Sequence, residues 1–162
     1  MFKQTIPAVL VTALLSASAP AFAVTMVKEV DVSVDLEAIE NPQAAEYWTS
    51  VSDDLENAIV ARLTDRIAED GAKISVDIDE VELANSWQSA MGTADSKLVG
   101  NVNVTHDSNN TVFDSYDLTV TFEQAGPFFL PGTDLTAITT DSQEYYDAMV
   151  AAFADHVVTN LK

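Results

Sequence analysis

The sequence predicts an α+β fold, a two-layer sandwich in which a four-stranded, mainly antiparallel sheet carries two helices on one face, in the order βαβββα. Three observations predict it. Four segments alternate apolar and polar residues with period two, two longer segments repeat apolar residues every three to four positions, and the second to fourth strand-like segments follow one another with no helix between them. Strands alternating with helices throughout would have indicated a parallel sheet covered on both faces. A run of adjacent strands indicates an antiparallel sheet with one open face.

The first strand is read from Val30 to Leu36, where Val30, Val32, Val34 and Leu36 face one way and Asp31, Ser33 and Asp35 the other. Asn41-Pro42 then supplies a favoured N-cap and a proline at the first helical position, where its missing N–H costs nothing. Trp48, Val51, Leu55, Ile59, Leu63 and Ile67 make one apolar stripe, and Gly71 suits a left-handed cap, so the first helix is expected over 42–70. Period two returns with Ile74, Val76 and Ile78 and slips by one at Val81 and Leu83, which predicts a β-bulge near Asp79-Glu80. Residues 84–96 follow neither period and read as a loop carrying Trp87 and Met91. Leu98, Gly100, Val102 and Val104 form the third strand, and His106 to Asn110 has turn chemistry. Tyr116, Leu118, Val120 and Phe122 then complete an antiparallel hairpin. The segment 124–140, with Gly126-Pro127-Phe128-Phe129-Leu130-Pro131-Gly132 at its centre, is expected to be neither helix nor central strand. A final helix opens at Asp141, with Glu144 three residues on in capping-box spacing. It carries Tyr145, Met149, Phe153, His156 or Val157, and Leu161 on one face.

The first 23 residues read as a cleavable signal peptide. Lys3 precedes an apolar run from Ile6 to Leu15, shorter than the roughly 20 residues a membrane-spanning helix needs, and Ala21-Phe22-Ala23 has the small-x-small cleavage pattern. The expected domains are therefore 1–23, removed on export, and 24–162, one α+β domain in the periplasm or secreted. No other segment is long and apolar enough to span a membrane. The chain has no cysteine, so it has neither disulfides nor the residue that carries a lipoprotein's lipid, and its stability must come from an apolar core.

Seven basic residues against 26 acidic ones give a net charge of −19, and losing Lys3 makes it −20. Such a charge repels nucleic acid and anionic lipid, and suits a solvated or salt-adapted surface or a cationic partner. Chemistry-bearing motifs are scarce. His106 and His156 are the only histidines and no Gly-x-Ser-x-Gly elbow accompanies them. No His or Cys pair has zinc-ligand spacing. Asp77 to Glu80 and Asp107 to Asn110 offer oxygen ligands, but counted from Asp107 the sixth and twelfth loop positions hold Val112 and Leu118 where an EF-hand needs Gly and Glu. No phosphate-cradling glycine spacing occurs. The reading includes no catalytic residue, metal or cofactor.

The candidate binding residues are apolar ones in loops: Trp87, Met91, Phe128, Phe129 and Leu130. The second cluster either closes the open end of the core or stands out as a contact patch, and with both loops at one end of the sheet they would line an apolar cleft. From Val30 to Leu161 the element order resembles that of small envelope proteins, the lipopolysaccharide-assembly lipoprotein and the auxiliary lipoproteins of ABC-type transport systems. The resemblance implies a Gram-negative periplasm and an accessory role, here in soluble form, and transfers no functional residue. The residues themselves suggest a non-enzymatic module that holds a protein, peptide or lipid partner of the envelope through these loops or the acidic open sheet face. Two alternatives are a secreted enzyme using a carboxylate acid-base site and a structural assembly subunit. Crowding of Asp31, Asp35, Asp77 and Asp117 on the open face disfavours a dry self-interface.

Overall fold

Alternation in the first apolar segment does form a strand, but it begins earlier than the pattern suggests. The computed structural model describes residues 24–34, 48–82 and 97–161. In it β1 is Val27–Val34. Val27 is buried although it stands three residues before Val30, because a bulge at Lys28 lets Val27 pair with Ala72 and Glu29 with Lys73. Leu36 lies outside the described residues.

Helix α1 is Val51–Arg62, separated by the turn residues Thr49 and Ser50 from Trp48, which is itself helical. Of the span expected to be helical, 42–47 lies outside the described residues and 63–70 is not helix. The spacing that placed Ile67 on the stripe is overridden by pairing. The Val27 N–H donates to the Arg66 carbonyl at 2.7 Å and the Ala68 N–H to the Val27 carbonyl at 2.9 Å, a parallel bridge that pulls the chain out of the helix and leaves Ile67 half exposed. Gly71 is likewise not a left-handed cap, since among the described residues only Gly132 has positive φ. It is needed for close approach: a Cβ there would lie 2.5 Å from the Val27 carbonyl carbon.

Strands β2, Ala72–Glu82, β3, Lys97–Thr105, and β4, Asp114–Thr121, form an antiparallel meander, with the predicted bulge at Asp79 between the Ile78–Gly100 and Glu80–Val99 pairs. Strand β1 joins β2 in parallel, so the sheet order follows the chain order and two of the three pairings are antiparallel. The last predicted strand residue, Phe122, instead opens a short helix α2, Phe122–Ala125, followed by a 3₁₀ turn, Gly126–Phe128. This corrects the helix-free reading of 124–140. Thr121 and Gln124 make a reciprocal capping box, a Thr-x-x-Gln signal hidden by the strand period running into it.

Helix α3 spans Gln143–Asn160 and is capped by Ser142, whose hydroxyl accepts the Tyr145 N–H at 3.2 Å, so the cap is one residue later than Asp141. Its buried face carries Tyr145, Met149, Phe153 and Val157. Helices α1 and α3 pack on each other and on the same side of the sheet. Between the layers lie Trp48, Leu55, Ile59 and Leu63 from α1 and its flanks, and Ile74, Val76, Ile78, Leu98, Val102 and Val120 from the strands. Each large side chain fully removed from water contributes about 1.5–3 kcal/mol, so a core of this size stabilises the fold without disulfides.

Candidate functional site

The helices cover one face of the sheet, and strand period two sends every second residue to the other. Pairing aligns those residues in rows. Ser33, Asp77, Asn101 and Asp117 make one row across all four strands, Asp31, Ser75, Asn103 and Ser115 the next, and Glu29, Lys73 and Thr105 a third across β1 to β3. The side chains are organised by one another. The Ser33 hydroxyl donates to the Asp77 carboxylate at 3.0 Å, the Asn101 amide to Asp117 at 2.9 Å, and the Asn103 amide to the Asn101 carbonyl oxygen. Lys73 reaches Glu29 at 2.8 Å and Asp31 at 3.4 Å, which raises its pKa. At the margin Lys28, the bulge residue, pairs with Asp107 and lowers that carboxyl below its ordinary value. These exposed ion pairs add little to stability. Their effect is to fix an array of carboxylate and carbonyl acceptors, with hydroxyl and amide donors between them, facing water.

The aromatic loop takes a different position. Phe128 and Phe129 are half-buried against the core. The Phe129 ring meets Phe122 edge-on at 5.6 Å, and Phe122 stacks on Tyr145 at 5.8 Å. Leu130 is 74% exposed. Trp87 and Met91 lie outside the described residues, so no shared cleft with this cluster is described.

Sequence reading missed a polar groove of about 310 Å³ between α1 and α3, lined by Asp54, Arg62, Gln143, Tyr146 and Asp147 among others. The Tyr146 hydroxyl donates to Asp54, which also accepts from the Ser50 hydroxyl at 2.7 Å, and the ring meets Trp48 edge-on at 5.0 Å. Burial, and then the Asp54 hydrogen bond, push the Tyr146 pKa well above its ordinary value. Asp53-Asp54 had read only as the polar side of a helix, and a contact across 92 residues leaves no local signal. His106 sits in the β3–β4 turn, where its Nδ1 accepts the Ser108 N–H at 3.2 Å and lies 3.5 Å from the Ser108 hydroxyl. That is a contact within an exposed turn, and Asp107 beside it is engaged by Lys28. His156 is half-buried on α3. Among the described residues no group of three His, Cys, Asp or Glu is placed to hold a metal, and no helix is long and apolar enough to cross a membrane.

Fold and site together define a small α+β domain with an open sheet whose uncovered face is polar and acidic. Among solved structures the chain is similar to PelC dodecamers from Paraburkholderia phytofirmans in two crystal forms. One is 15% identical with TM-score 0.39, covering 80% of this chain and 85% of that one; the other is 16% identical with TM-score 0.39, covering 85% and 93%. It is also similar to a DUF330 protein from Xanthomonas campestris, 16% identical with TM-score 0.47 and 86% of each chain covered. These likenesses concern the fold alone. None of these neighbours bears the names suggested by element order, the lipopolysaccharide-assembly and transport-auxiliary lipoproteins; what is shared is a small α+β fold. No family model and no curated protein matches the chain.

Proposed function

We propose that the protein is a non-enzymatic accessory protein, exported to the periplasm, that holds a positively charged protein partner against the uncovered face of its sheet. The observation that carries this reading is the row from Ser33 through Asp77 and Asn101 to Asp117, which hydrogen bonds hold in place on a face that no described helix covers. Preorganised acceptors lower the ordering cost of binding, and a net charge of −19 draws a cationic partner in and speeds encounter.

The test is affinity capture from envelope extract using the parent, an Asp77→Asn/Asp117→Asn variant, and a Phe129→Ser variant, each first checked for folding by circular dichroism. The reading expects a basic partner retained by the parent and by Phe129→Ser, released by salt, and lost with the two asparagines. A partner retained equally by the asparagine variant moves the site away from the sheet. No partner with any of the three sinks the accessory role.

A further inference from the structure

The turn between β3 and β4 carries a signal that neither the sheet face nor the helix groove uses. An asparagine in Asn-x-Ser or Asn-x-Thr, with x other than proline, accepts an N-linked glycan when it lies on the surface of an exported protein. Two such triplets stand close together, Asn103-Val104-Thr105 and Asn109-Asn110-Thr111. The structure separates them. Asn103 lies within β3, paired with Ser75 on one side and Ser115 on the other, and its amide donates to the Asn101 side chain. An enzyme that must bend the acceptor chain into its cleft finds both edges of that strand occupied. Asp107, Ser108, Asn109, Asn110 and Thr111 are instead all exposed, in a turn outside the strands. The Asn109 Oδ1 accepts the Thr111 hydroxyl at 2.6 Å and the Thr111 N–H at 3.1 Å, and among the described residues no hydrogen bond engages its Nδ2.

We propose that Asn109 is an acceptor site for an N-linked oligosaccharide, transferred from a lipid-diphosphate-linked donor by an oligosaccharyltransferase on the exported side of the membrane. The Asn109 Nδ2 attacks the anomeric carbon of the donor sugar. A C–N bond forms as the C–O bond to the diphosphate breaks, the lipid diphosphate leaves with the bonding electrons, and one Nδ2 proton passes to a base of the enzyme. An amide nitrogen is a weak nucleophile, so the enzyme must hold the acceptor firmly, and the Thr111 hydroxyl folded against Asn109 is the handle that the triplet supplies. Asp107 stands two residues before Asn109, where bacterial oligosaccharyltransferases also read an acid. Its surface pair with Lys28 costs little to open. The proposal rests on the export reading and is independent of the sheet face.

The experiment incubates the purified, folded protein with a bacterial oligosaccharyltransferase and a lipid-diphosphate-linked oligosaccharide, and reads transfer by intact-protein and peptide mass spectrometry. A single glycan is expected on Asn109 and none on Asn103. Asn109→Gln should abolish transfer, Asn103→Gln should leave it unchanged, and Asp107→Ala should slow it, each in a variant that keeps the parent's circular dichroism. Thr111→Val, which removes the hydroxyl the enzyme reads, should cut the rate by at least about a hundredfold. No transfer to the parent, transfer to Asn103 as readily as to Asn109, or undiminished transfer to Thr111→Val overturns the proposal. The full 162-residue chain, made in a bacterium carrying the same enzyme and donor, should lose residues 1–23 and gain the glycan. A chain that keeps those residues and stays unmodified in cells, while the purified protein accepts the glycan, refutes export and leaves the acceptor site standing.

Discussion

Replacing Gly71 by Ala tests how tightly β1 is locked to the strand beside it. The new Cβ would stand 2.5 Å from the Val27 carbonyl carbon and 2.7 Å from the backbone nitrogens of Val27 and Lys28, whereas ordinary contact begins near 3.4 Å. All three neighbours are backbone, so no rotamer change relieves the overlap and the strands must part by about 0.9 Å. A shift of that size stretches three hydrogen bonds: Val27 N–H to Arg66 at 2.7 Å, Ala68 N–H to Val27 at 2.9 Å, and Ala72 N–H to Met26 at 2.7 Å. Each would pass about 3.5 Å and lose most of its net worth, about 1 kcal/mol apiece, for a total of about 3 kcal/mol. In a domain of this size that lowers the melting temperature by about 10 °C. Gly126→Ala is the control. Gly126 has φ −45° and ψ −48° and nothing but its chain neighbours within 4 Å of its Cβ position, so the gain in chain entropy from alanine is offset only by the Pro127 ring, which disfavours helical φ/ψ in a preceding residue with a Cβ, and stability should change by less than about 1 kcal/mol. Thermal and urea denaturation followed by circular dichroism read both. A Gly71→Ala protein within about 0.5 kcal/mol of the parent, or equal losses at the two sites, would refute the close-approach argument.

Tyr146→Phe should cost about 1 kcal/mol near neutral pH by removing the hydrogen bond to Asp54. Because the folded-state pKa of Tyr146 is raised above its ordinary 10.0, its contribution is complete below that pH and fades as pH rises past it. The variant should therefore lose less stability than the parent between about pH 9 and about pH 11, in urea titrations, with the raised Tyr116 leaving some slope in both. Phe129→Ser should destabilise by about 1–3 kcal/mol because its ring packs on Phe122, while exposed Leu130→Ser should change stability by less than about 0.5 kcal/mol. The reverse order in a melting comparison would mean that Leu130, not Phe129, closes the core. Raising NaCl from about 0.05 M to about 0.5 M shortens the screening length from roughly 14 Å to roughly 4 Å and should raise the melting temperature, since self-repulsion dominates a chain of net charge −19. A fall in melting temperature would show that favourable ion pairs such as Lys73 with Glu29 and Asp31 outweigh it.

The layered fold was legible because its elements obey one period at a time. Alternation at Leu98 to Val104, and the slip at Asp79, are local patterns that map directly onto pairing. Errors arose where two periods overlap or where a distant partner decides. Ile67 continues a helical stripe yet pairs with Val27, forty residues earlier, and Phe122 continues a strand period yet begins a capped helix. The polar rows were foreseen as an acidic face, because strand alternation sorts Asp31, Asp77 and Asp117 to one side. Their register, and hence the alignment of Ser33, Asp77, Asn101 and Asp117, depends on which strands are neighbours and needed the structure. The groove between α1 and α3 joins residues as distant as Asp54 and Asp147, and no spacing in a sequence records such a meeting.

The parallel pairing of β1 also bears on the order in which the sheet closes. Strands β2, β3 and β4 are successive in the chain and each finds its neighbour across a local connection, whereas the only strand that β1 pairs with is β2, in parallel, across the segment that includes α1, with the Val27–Ile67 bridge as a further tie at its start. The strand made first thus has no sheet partner until 72–82 has been synthesised, and its closure carries the larger loop entropy. In the folded protein the same geometry makes β1 an edge that can open while the meander and α3 stay together. Hydrogen exchange should then release the amides of Val30 and Val32 at a lower opening free energy than those of Val76 and Val102.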